Sequence, residues 1–214
     1  MTKSGNIAHL RRKVAREAAL LLYTLQEKEF KQAKEKAAKT LGLRVLPSNF
    51  EVAEELDRIA DEYEGEERWI RLIRMRKEAL EIMETLSAFH PRLIGSVWRG
   101  TANKHSDIDI VVFSQEKEAV IEALRKSGLK ILDVKTAPSE KEGGDGTIHI
   151  FIDLPSKDSV EVIVRGLEDM NKDEICDIYG DVKRGLTIKE LRNVLEKDPL
   201  RRFIPKRRKH KYEK

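Results

Sequence analysis

The chain has one cysteine, Cys176, in 214 residues, so it can build neither a disulfide framework nor a cysteine-built zinc site. It has no apolar run near the ~20 residues that a membrane-spanning helix requires. Met1-Thr2-Lys3-Ser4 leads into a charged stretch instead of a signal peptide. These absences point to a cytoplasmic protein with no membrane partner. Aromatic residues are also scarce, at 6%. Charged residues are plentiful instead, at 37% against the ~25% of an average soluble protein.

The net charge of +4 conceals an asymmetry. Residues 1–44 carry 11 Lys/Arg against 4 acids, and residues 201–214 carry 8 against 1, so each end is +7. The 156 residues between them are −10. Basic ends on an acidic body suit a polyanionic partner such as RNA, or else a solvated helix face and a disordered tail.

Residues 1–90 read as a helical lobe. Leu10, Val14, Ala18, Leu21, Leu22 and Leu25 recur at helical spacing, predicting a helix from Asn6 to about Thr40. Leu46-Pro47-Ser48-Asn49 predicts a break and an N-cap, followed by a helix that ends near Gly65. A third helix runs from Glu66 to about Phe89. From Pro91 the period changes. Strands are predicted over Arg92 to Gly95, Asp107 to Phe113, Leu129 to Thr136, Thr147 to Leu154 and Val160 to Arg165, with a helix over Glu116 to Lys126 and a flexible loop at Ser139 to Gly146. Residues 91–170 form the core of this reading, 171–200 a helical segment and 201–214 a basic tail. Helices and strands lack a regular βαβ rhythm, so the expected class is α+β.

Two aspartates open the second strand. Asp107 and Asp109 flank Ile108, so their side chains share a face, ~7 Å apart along the strand. Such a pair repels itself unless a cation lies between, and oxygen-only ligands favour a hard ion, Mg²⁺ or Mn²⁺. Gly95-Ser96 stands ten residues ahead, where backbone can approach a phosphate closely. A phosphate cradle beside a metal-holding pair is what phosphoryl or nucleotidyl transfer needs.

Gly95-Ser96 followed at this spacing by Asp107-Ile108-Asp109 resembles the signature of the nucleotidyltransferase superfamily with the DNA polymerase β-like fold. The stretch is similar to the catalytic core of archaeal tRNA CCA-adding enzymes and to the minimal nucleotidyltransferases, some of which are AMP-transferring antitoxins. The resemblance covers about Arg92 to Arg165. It implies that Gly95 and Ser96 bind the triphosphate, that Asp107 and Asp109 hold two Mg²⁺ ions, and that a third carboxylate completes the metal site. Glu161, alone among the valines of "SVEVIVR", is the choice for that role, with Asp153 the runner-up.

Other residues near these motifs have two readings. Arg99 is expected to help neutralise the triphosphate, or else to be a surface residue; Lys104 and His105 read as surface. His149 reads as a half-buried strand histidine, Trp98 as packing on the turn and Cys176 as a small core residue. The leading expectation is an enzyme that moves a nucleoside monophosphate from an NTP to a hydroxyl, with ATP the favoured NTP and RNA or tRNA the favoured acceptor. The alternatives are AMP transfer to a protein hydroxyl and a non-catalytic nucleotide- or RNA-binding module. No motif here encodes base choice.

Overall fold

The computed structural model describes residues 3–137 and 146–206, with side chains from Ile7 onward. The loop expected at Ser139 to Gly146 therefore lies almost wholly outside the described residues, as does the tail beyond Lys206.

The first expected helix is two. α1 spans Lys3–Tyr23 and α2 spans Phe30–Thr40, and Leu25 between them takes a left-handed φ of 56°. A single rod would leave its apolar stripe unpartnered. The break lets α2 fold back, so that Ala33, Ala37 and Ala38 bury with Val14, Ala15, Ala18 and Ala19. α3 (Asn49–Glu64) completes this cluster with Val52, Ile59 and Ala60. Its N-terminus carries the expected cap as a full capping box between Ser48 and Glu51. Gly65, at φ 54°, turns the chain directly into α4 (Glu66–Thr85).

α4 turns its apolar face away from this cluster. Leu72, Met75, Ala79, Ile82 and Met83 join the core of the sheet, so the packing of the lobe ends before the expected boundary at residue 90. The sheet has five strands, β1 (Arg92–Ile94), β2 (Ile108–Phe113), β3 (Ile131–Ala137), β4 (Thr147–Asp153) and β5 (Ser159–Arg165), in the order β1-β2-β5-β4-β3. β2 and β5 are parallel and the other pairs antiparallel.

Ile108, Ile110 and Val112 of β2, Ile148, Ile150 and Ile152 of β4, and Val160, Val162 and Val164 of β5 face the core. There they meet α4, α6 (Lys117–Lys126) and α7 (Ile188–Lys197), whose N-terminus has a second capping box, Thr187 with Glu190. Helices gathered on one face of a mixed sheet make the protein α+β, as expected. The other face of the sheet carries Asp109, His149 and Glu161.

Candidate active site

The site begins at the end of β1. Ile94 pairs with Asp109 across the antiparallel ladder, and Gly95 then leaves the strand at φ 68° to open the short helix α5 (Gly95–Arg99). A Cβ at Gly95 would lie 1.9 Å from Asp109 Oδ2. The glycine is therefore required by the carboxylate beside it, in addition to the close phosphate approach expected from sequence.

Parallel pairing of β2 with β5 sets Asp109 directly beside Glu161. Asp107 stands one residue before β2 and completes the group: one carboxylate oxygen from each of the three lies within 4.8 Å of the others. Asp153, the runner-up, is exposed at the end of β4 and accepts a long bond from the Ser159 hydroxyl, at 3.4 Å. Glu161 is thus the third carboxylate that the fold brings to the aspartates.

Three acids this close resist ionising together. Burial, then the charges of Asp107 and Glu161, push the Asp109 carboxyl up to about 8. Asp107 is exposed at the edge of the site, yet partial loss of solvent raises its carboxyl too, with Glu161 adding to it and its own backbone N–H offsetting part of the rise. A group of oxygen donors that is electrostatically uncomfortable by itself fits a hard divalent cation, which would favour the ionised forms of Asp107 and Asp109. His149, one strand further on β4, bonds Glu161 Oε1 through Nδ1 at 2.6 Å. The sequence placed His149 as a half-buried strand residue and did not reveal this bond, since it depends on strand pairing.

Arg99, expected at the triphosphate or else on the surface, is buried and already paired with an acid. It is 4% exposed and makes two 2.7 Å bonds to Asp181 and a third to the Phe203 carbonyl. Its guanidinium lies between the rings of Trp98 and Tyr179, at 4.1 and 4.7 Å. Two further buried arginines hold the same segment by its carbonyls. Arg76, fully buried, donates to Val97, Trp98, Pro199 and Arg201, and burial lowers its pKa to about 10. Arg68 donates to Thr101 and Ala102 and pairs with Asp57 and Asp61. These arginines fix α5 and the turn that follows it.

Lys104 and His105 are exposed, and both lie against the Tyr23 ring, docking the loop before Asp107 onto the helical lobe. Trp98 and Cys176 are buried as expected. The basic face of α1 is largely neutralised: Arg11 pairs with Glu51, Arg12 with Glu55 and Arg16 with Glu62.

A glycine turn set against three clustered carboxylates on a mixed sheet could hold a hard metal ion. The family comparison agrees. Residues 76–146 match the nucleotidyltransferase domain family, a segment that runs from α4 through Gly95-Ser96 and both aspartates into β3 and beyond. Comparison with curated protein sequences yields no match. Among solved structures, one described by its activity as a cytoplasmic RNA terminal U-transferase aligns over 55% of this chain and 34% of that chain, at 18% identity and a TM-score of 0.29. An overlap that slight bears no structural argument. Among the described residues, no helix is long and apolar enough to cross a membrane.

Proposed function

We propose that the protein transfers a nucleoside monophosphate from an NTP to a hydroxyl acceptor, releasing pyrophosphate, with Asp107, Asp109 and Glu161 holding Mg²⁺ or Mn²⁺. The observation that carries this reading is the meeting of three carboxylates within 4.8 Å beside the Gly95 turn. Bound there, the ion would supply Lewis-acid stabilisation of the charge that grows on the phosphate oxygens. Ser96 and the backbone at the start of α5 orient the leaving phosphates. The acceptor oxygen bonds to the α-phosphorus as the bond to the bridging oxygen breaks, and Glu161 accepts the hydroxyl proton. His149 bonds that carboxylate at Oε1 and so fixes its orientation.

RNA remains the favoured acceptor on the strength of the basic C-terminal sequence. The arginines of α1 add less than their number suggests, because Glu51, Glu55 and Glu62 already pair with them. That pairing favours, as a second reading, a protein hydroxyl as acceptor.

The test is thermal stability. Mg²⁺ and NTP together should raise Tm well beyond either alone, because the triphosphate completes the metal's ligand shell. Equal stabilisation by NTP in EDTA would remove the metal from the account.

A further inference from the structure

α4 carries apolar residues on two sides. The inner side, with Leu72, Met75, Ala79 and Met83, is buried in the core of the sheet. On the outer side Trp69 is 46% exposed and Ile70 57%, with Ile73 half-buried beside them. One exposed isoleucine calls for no explanation, but a tryptophan and two isoleucines this close together form a patch. At 3.6 residues per turn, Glu66, Ile70, Ile73 and Lys77 fall in one row, with the four-three-four spacing of a seam between two helices. Trp69 and Arg74 flank the row, one on each side.

The order of these residues shows what fits the seam. A second copy of α4, turned about a two-fold axis that passes between Arg71 and Leu72, runs antiparallel to the first. It brings Glu66 opposite Lys77, Ile70 opposite Ile73 and Trp69 opposite Arg74. Each side chain of the row then meets a matching one: acid with base, isoleucine with isoleucine, and an indole with a guanidinium. A parallel copy would instead set Glu66 against Glu66 and Lys77 against Lys77. Within one chain, neither Glu66 nor Lys77 has an ion-pair partner among the described residues. Arg74 is held by Asp158 at 2.8 and 3.0 Å, with its side chain still 43% exposed.

We infer that the outer side of α4 is a self-association surface, through which two copies of this chain pair antiparallel. α4 packs on the face of the sheet opposite to Asp109 and Glu161, so the pairing leaves both catalytic faces open. The inference is independent of the metal and of the reaction.

Sedimentation of the full chain over a range of concentrations tests it. The wild type should show a reversible monomer–dimer equilibrium, with a dissociation constant roughly in the micromolar range for so small a contact. Ile70→Asp, which puts a charge into the seam, should leave the chain monomeric with Tm unchanged. Glu66→Lys and Lys77→Glu, each alone, set like charges opposite one another at both ends of the seam and should weaken the dimer about tenfold or more. An equimolar mixture of these two variants should dimerise as well as the wild type, because every opposed pair again differs in sign. Loss of folding cannot mimic that rescue. A wild type that stays monomeric, a dimer indifferent to Ile70→Asp, or a mixture no tighter than its components overturns the inference.

Discussion

The Cβ position of Gly95 lies 1.9 Å from Asp109 Oδ2, so the glycine and the aspartate exclude any side chain between them. Gly95→Ala should therefore displace the carboxylate, and it also places a side chain at φ 68°. A stability loss of about 1–2 kcal/mol is expected with a much larger loss of transfer, on the order of a hundredfold or more, read from melting curves and rates on the same sample. A variant that transfers normally would show that Asp109 need not stay where it is.

Stability of the metal-free protein should depend on pH through Asp109. Its carboxyl titrates near 3.8 when exposed and at about 8 in the fold, so the folded state holds its proton more tightly than the unfolded state. Stability is then highest at low pH from this group and falls as pH rises between about 4 and 8. The contribution is on the order of a few kcal/mol after allowing for solvent at the site. Asp109→Asn should flatten that slope and leave the metal-free fold as stable or more stable at neutral pH, as urea denaturation at several pH values would show.

His149 should act on the reaction through Glu161. His149→Ala frees the Glu161 carboxylate from its 2.6 Å bond and should lower kcat roughly ten- to a hundredfold with little change in KM for the NTP. His149→Asn, which keeps a donor near the position of Nδ1, should restore part of kcat. Equal losses in both variants, tracking Tm, would reduce the bond to a packing contact.

Arg99 was expected at the triphosphate, and the fold instead gives it to Asp181. Arg99→Ala should cost about 3 kcal/mol by leaving a half-buried acid without its partner, and Asp181→Asn should lose part of the same energy. A double-mutant cycle in urea should show the two losses overlapping. If Arg99→Ala raises the NTP KM and leaves Tm unchanged, the arginine serves the phosphates after all.

The residues most legible in sequence were those whose neighbours are local. Asp107 and Asp109 could be placed on one face because strand side chains alternate, and Glu161 stood out because an acid among valines needs a reason. Leu46-Pro47-Ser48-Asn49 announced the break and the N-cap, which Glu51 completes as a capping box. What escaped depends on distant pairing. The β2–β5 register brings Asp109 to Glu161 and lets His149 reach that carboxylate from β4, and no periodicity encodes it. The pairing of Arg99 with Asp181 was equally hidden, because the two are 82 residues apart. The break between α1 and α2 likewise follows from the need to bury two alanine-rich stripes against each other, a tertiary demand that overrides helix spacing.

The central claim is that the three carboxylates hold a metal that enables nucleotidyl transfer, and incubation with α-labelled NTP and Mg²⁺ tests it most directly. Total RNA and total protein serve as acceptors, with Asp107→Asn and Asp109→Asn run alongside and folding checked by melting. The account predicts label in a macromolecule together with released pyrophosphate, both abolished by EDTA and by either substitution in a folded protein. Transfer that survives Asp109→Asn or EDTA, or no transfer and no Mg²⁺-dependent NTP binding by the wild type, would contradict it.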